Sequence, residues 1–189
     1  MRKNNELGMT GLAIELAKTA VVEGNIASFR DDRGEIKVDL TQGVFVRIHP
    51  DGRTTQYKSG QLSKAEKNYG VIPVRIAGVN KTIYQHIMMA CLTHMDTYKE
   101  GLIVGHKDSV KWHNTPDNLE WVTDSQNKQM ESLMYKLQTK YPGVYTILGR
   151  NLHGDLFIAS KIKISHKDID KILAVIDDPD ALDDVMNYL

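Results

Sequence analysis

Turn signals recur between short alternating runs along most of this chain, and that punctuation constrains its fold more than any other feature. Asp31-Asp32-Arg33-Gly34, His49-Pro50-Asp51-Gly52, Ala77-Gly78-Val79-Asn80 and Asn151-Leu152-His153-Gly154 each supply the Gly, Pro, Asn or Asp that tight turns need. Around them, residues 35–40, 44–48, 53–57, 70–76, 81–84, 144–148 and 155–159 read as short strands. Paired across their turns, 44–48 with 53–57, 70–76 with 81–84 and 144–148 with 155–159 predict small antiparallel hairpins. Pro73, inside one such run, assigns that strand to an edge or a bulge.

Helical spacing separates these hairpins. Thr10 is the expected N-cap of a helix reaching Glu23, with Leu12, Leu16, Ala17 and Ala20 on one face and Gly24 as its stop. Ile87, Met88, Cys91 and Leu92 mark a second helix over 85–95 whose Met/Cys face reads as core. Thr123 and Asp124 suit the N-cap of a third, over 125–137. A fourth follows residue 164, with Ile169, Ile172, Leu173 and Ile176 together. The fold class expected is therefore α+β, with N- and C-terminal helical segments. Three regions follow: 1–43 as an N-terminal helix and strand, 44–140 as the central hairpins and core, and 141–189 as a hairpin, helix and acidic tail.

The formal net charge is zero, which by itself speaks weakly against a nucleic-acid partner. Its distribution is uneven: residues 1–43 carry −1, 44–140 carry +4 and 141–189 carry −3. A mildly basic middle permits DNA binding without requiring it. The acidic tail suits a solubilising or partner-facing surface, or a mimic of DNA against the basic groove. No apolar run has the length of a membrane span, and no secretory leader pattern is present. A single cysteine, Cys91, excludes an intramolecular disulfide and a cysteine-based structural zinc site, and places the expected location in a reducing cytoplasm.

The stretch richest in chemistry runs from Leu102 to Asn127. Ile103-Val104 forms a short strand that delivers His106 at its end. A polar loop then carries Asn114 and Asn118, a strand returns through Leu119-Glu120-Trp121-Val122, and a helix bears Asn127 near its start. This is a ββα unit with a histidine and an amide facing one another. Phosphodiester hydrolysis needs an activated water and a charge to offset the pentacovalent phosphorus. A neutral imidazole takes a proton near pH 7. A hard cation, Mg²⁺ or Mn²⁺, takes oxygen ligands, and the Asn127 amide offers one. Asn118 is placed to tie the two strands and orient the His106 ring.

These residues are similar to the HNH endonuclease family, in particular its phage and intron-encoded homing branch. The elements are Tyr84-Gln85-His86-Ile87, Ile103-Val104, His106-Lys107-Asp108, Asn114, Asn118-Leu119-Glu120-Trp121 and Asn127, and the similarity covers roughly residues 44–130. It implies a ββα-metal core, His106 as general base, Asn118 as the structural asparagine and Asn127 as the helix-borne ligand of one divalent ion. Many members of the branch carry Asp just before the base, where this chain has Gly105; Asp108 is the nearest substitute and otherwise braces the loop. Nothing in the spacing of His94, His106 and His113 supports structural zinc.

The resemblance implies a double-stranded DNA substrate, cut or nicked by a monomer or homodimer in the cytoplasm of a host cell. Arg75, Lys81, Lys107, Lys111 and Lys128 are the expected phosphate contacts, each also readable as a solvated side chain. His86 is read either as a contact to DNA or the site, or as a packing group. The alternative from another class is a nuclease-derived binding protein that no longer cuts, motivated by Gly105 and the acidic tail.

Overall fold

A computed structural model describes residues 2–57, 69–107, 111–128, 131–132, 135, 146–150 and 156–160. The chain forms two compact units, Met1–His106 with Val110–Trp121, and Lys107–Ser109 with Val122–Leu189.

The first unit begins with α1 (Arg2–Lys18). The helix starts earlier and stops sooner than expected, so Thr10 lies inside it and is buried. Val21–Glu23 is not its last turn but the first strand, β1, pairing with β2 (Ile26–Asp31) across the two-residue loop Gly24-Asn25. The stop signal at Gly24 is thus a hairpin turn, with a φ of +58°. Two adjacent β-branched valines favour extended backbone, and that preference overrides the helical spacing of the residues before them.

β3 (Gly34–Asp39), β4 (Val44–Ile48) and β5 (Thr54–Tyr57) extend this hairpin into one antiparallel sheet in the order β1-β2-β3-β4-β5. β3 and β4 pair from Glu35 opposite Ile48 to Asp39 opposite Val44, so the expected boundary after residue 43 falls inside a sheet. β6 (Val71–Ile76) and β7 (Val79–Tyr84) form a separate two-stranded hairpin. Its loop is Ala77-Gly78, both at positive φ as a tight primed turn requires, while Val79 and Asn80 already belong to β7. Pro73 sits in β6, a strand with a single partner, where a missing N–H costs no ladder bond on the open side.

α2 (Gln85–Thr93) follows directly and packs on α1 and β7. Seven of its nine residues are buried, which makes it the central element of the core. It meets Ala13 and Leu16 of α1, Phe29 of β2, Ile36 and Val38 of β3, Phe45 of β4, and Ile72, Val74 and Ile83 of the β6–β7 hairpin in one apolar cluster. Cys91 belongs to this core; burial pushes its thiol up to about 12, and it acts as an apolar filler.

A charged pair is sealed within the same unit. Arg47 is 1% exposed, and its guanidinium donates to both carboxylate oxygens of Asp31. It also donates to the Pro73 carbonyl (2.8 Å) and the Tyr57 hydroxyl (2.7 Å). Asp31 further accepts from the backbone N–H of Arg33 and of Arg75, both at 2.9 Å. The five-stranded sheet and the β6–β7 hairpin are tied together through these bonds. Burial alone would raise the Asp31 pKa, but the bonds from Arg47, Arg75 and Arg33 outweigh it and hold the carboxyl below its usual range.

β8 (Ile103–His106) pairs with β9 (Leu119–Val122), with a short 3₁₀ turn at Pro116–Asn118 just before the return strand. In the second unit, Thr123 caps a helix whose described start is 124–128. Gln126 N–H donates to the Thr123 hydroxyl (3.1 Å) and Thr123 N–H donates to the Gln126 side chain (2.9 Å), a reciprocal capping box. The expected C-terminal hairpin is present as β10 (Thr146–Arg150) and β11 (Leu156–Ser160), antiparallel from Thr146 opposite Ser160 to Arg150 opposite Leu156. The expected helix after residue 164 and the acidic tail lie outside the described residues. Among the described residues, no helix is long and apolar enough to cross a membrane. The architecture is mixed, antiparallel hairpins packed with helices.

Candidate active site

Ile103 and Val104 bury the β8 strand, and the strand ends on His106, itself only 9% exposed. The His106 ring is held in place rather than solvated. Its Nε2 lies 3.0 Å from Oδ1 of Asn114, a loop residue 3% exposed. The side chain expected to orient the ring was that of Asn118; the partner found on Nε2 is Asn114. Asn118 donates from Nδ2 to the His113 carbonyl at 2.7 Å, and its N–H donates to the Thr115 carbonyl at 3.1 Å. It therefore braces the loop that carries Asn114.

Rings surround the histidine. His86 lies 5.1 Å from His106 centroid to centroid, Tyr69 lies 4.7 Å from His86, and Tyr84 stacks on His86 at 5.4 Å. His86 is 2% exposed and packs beside His106. Lys111 sets its ammonium 5.4 Å from the Tyr69 ring centroid, where the ring's negative face attracts a cation.

The other expected phosphate contacts differ in exposure. Arg75 and Lys81 are exposed on the β6–β7 hairpin, where the Arg75 guanidinium donates to the Gly78 carbonyl. Lys107, at 8% exposure, is buried. Lys128 is exposed and pairs with Asp124 one helical turn earlier at 2.7 Å. Asn127 is half-buried in the capped helix, its N–H bonded to the Thr123 carbonyl. Lys107, Asn127 and Lys128 belong to the second unit. Asp108 lies outside the described residues.

Among the described residues no three His, Cys, Asp or Glu side chains group as a metal site. The donor on offer is the Asn127 amide, neutral and hard. That chemistry suits a hard cation such as Mg²⁺ or Mn²⁺, ions that keep several waters and take phosphate oxygens.

Trp121 has a clear packing role: its indole donates to the His94 carbonyl at 2.9 Å and its ring meets Tyr98 edge-on at 4.8 Å, so β9 is pinned to the end of α2. Two residues of the site region were not foreseen. Gln85 was read only as a helix start, yet it is wholly buried and its amide reaches Asn114. Arg47 was read as a strand residue without a role. Its signal was available: strand alternation puts it on the face of Phe45, which the core must bury.

A strand that ends on a buried histidine is thus followed along the chain by a loop braced by asparagines, a return strand and a capped helix. Residues 89–129 match the family model described as HNH endonuclease. The chain is similar to DNA endonuclease I-HmuI of Bacillus phage SP01, 35% identical over 84 residues, which are 43% of this chain and 48% of the relative. It thus spans about half the length of that curated relative. A solved structure described as "DNA binding and cleavage by the HNH homing endonuclease I-HmuI" aligns with 66% of this chain and 71% of that one, at 29% identity and a TM-score of 0.41.

Proposed function

We propose that this protein is a metal-dependent endonuclease that hydrolyses phosphodiester bonds of double-stranded DNA, of the homing type encoded by phages and mobile elements. The observation that carries the reading is His106, a buried imidazole with one nitrogen tied to Asn114 at the end of a strand in the family's matched segment. A ring so held takes the proton of an attacking water through its other nitrogen. Asn118 braces the part of the loop that carries Asn114. Asn127, with Asp108, would hold the divalent cation. When bound, that ion would stabilise the negative charge that develops on phosphate. Exposed Arg75 and Lys81, with Lys111 beside Tyr69, would contact backbone phosphates, which predicts affinity that falls steeply with salt.

Gly105 supports a second reading, a nuclease-derived protein that binds DNA without cutting, because glycine supplies no oxygen beside the base. A supercoiled-plasmid assay with Mg²⁺ or Mn²⁺ separates the two. Nicking that requires the metal and disappears in His106→Ala is the expected result. Binding without nicking under either metal would establish the second reading instead. In the same assay Asn127→Ala should shift the metal titration to higher concentration, by about 10- to 100-fold for a lost ligand or its support. An unmoved titration removes Asn127 from the metal's ligands.

A further inference from the structure

Behind His106 lies a chain of amides that begins on a backbone carbonyl. Gln85 Nε2 donates to the Tyr57 carbonyl (3.3 Å), Asn114 Nδ2 donates to Gln85 Oε1 (3.3 Å), and Asn114 Oδ1 faces His106 Nε2 (3.0 Å). The direction of every link is dictated by the first. A backbone carbonyl only accepts, so Gln85 must present its NH₂ there and its oxygen to Asn114. Asn114 must then give its NH₂ to Gln85 and its oxygen to the histidine. An oxygen that only accepts obliges His106 to carry its proton on Nε2. The lone pair of a neutral His106 is thereby placed on Nδ1.

Both residues are seated on glycines. A Cβ on Gly70 would come within 2.5 Å of the Gln85 side-chain carbonyl carbon, and Gly70 also accepts the Gln85 N–H through its carbonyl at 2.9 Å. Gly43, at a φ of +68°, backs onto Asn114, where a Cβ would come within 2.6 Å of the Asn114 backbone oxygen. Gln85, Asn114 and Asn118 are all buried, at 0%, 3% and 1% exposure, so none of these amides can turn without losing bonds that water does not replace.

We infer that Gln85 is a positioning residue for His106: acting through Asn114, it selects the Nε2–H tautomer of the ring. This deepens the nuclease reading, on which the catalytic consequence rests, although the tautomer itself is a property of the protein alone. The test is long-range ¹⁵N–¹H correlation on the full chain labelled with ¹⁵N-histidine, His106 being assigned by its loss in His106→Ala. The native protein should show His106 protonated on Nε2 when neutral. Gln85→Leu should give a mixture of tautomers and slow plasmid nicking about 10-fold, the usual scale for losing an outer partner of a catalytic group. Gln85→Met, which keeps the side chain's length over Gly70, should do the same and serves if the leucine variant does not fold.

Asn114→Asp keeps an acceptor for Nε2 without the amide relay, so adding Gln85→Leu to it should leave the tautomer unmoved. A native Nδ1–H tautomer would overturn the inference. So would a folded Gln85 variant with slowed nicking and an unchanged tautomer, since that is the signature of packing alone. A protein that never nicks but whose tautomer shifts on losing Gln85 leaves the inference standing and overturns the enzyme.

Discussion

Two buried polar networks meet at Tyr57 and are built from opposite chemistries. Its hydroxyl accepts from Arg47, the centre of an ionic cluster with Asp31, while its carbonyl accepts from Gln85, the start of a neutral relay to His106. The ionic cluster joins two sheets, and strength matters more there than direction. The relay carries no formal charge and orients an imidazole through dipoles alone. Charge serves where two pieces must not part; dipoles serve where one ring must not turn.

The comparison breaks most readily at Arg47. Arg47→Met should lower unfolding stability by about 3–5 kcal/mol, because it strands the Asp31 carboxylate in the core. Replacing Asp31 with leucine in the same chain should recover much of that loss, since no charge is then left uncompensated. Urea denaturation of both variants measures this, and a double variant that recovers nothing would show that the cost is not electrostatic. If the two networks are functionally separate, Arg47→Met should leave the His106 tautomer alone, because Gln85 leans on the backbone of Tyr57 and not on its phenol.

A change of pH sharpens the same contrast. The Asp31 pKa is lowered in the folded state. Its contribution is therefore fully present at neutral pH and is withdrawn as pH falls through the ordinary carboxylate range toward the lower folded value. Unfolding midpoints measured down that range should decline more steeply in the native chain than in the Arg47→Met, Asp31→Leu double variant. Equal slopes would mean that other carboxylates govern acid unfolding. The smallest effect belongs to the second unit, where Thr123→Ala removes one half of the capping box and should cost about 1 kcal/mol. Hydrogen exchange at the Gln126 amide, the donor to the lost hydroxyl, reads that change directly.

What could be read in the sequence was whatever is written locally. The turns at Asp51-Gly52 and Ala77-Gly78, the apolar face of α2 and the position of His106 at a strand end all depend on residues within a few places of one another. The β1–β2 hairpin was also local, since Gly24-Asn25 between two β-branched-containing runs is a two-residue turn signal, but helical spacing upstream concealed it. The partners of Asp31 and Gln85 were not legible in this way. Asp31 meets Arg47 and the Arg75 backbone only because the fold sets β2 and β4 of one sheet against β6 of the separate hairpin. Gln85 meets Asn114 only because a loop closes 29 positions away. Asn114 was noted as a loop residue of the motif, and only the closed fold shows its Oδ1 beside His106 Nε2.

The glycine seats carry a consequence for modularity. The family match begins at residue 89, whereas Gly43, Tyr57, Gly70 and Gln85 all precede it. A ββα segment lifted from this chain and grafted elsewhere would bring its histidine and its asparagines but leave behind the surface that aims them. Substitutions at those earlier positions would therefore disturb the setting of His106 while every residue of the recognisable motif stayed intact.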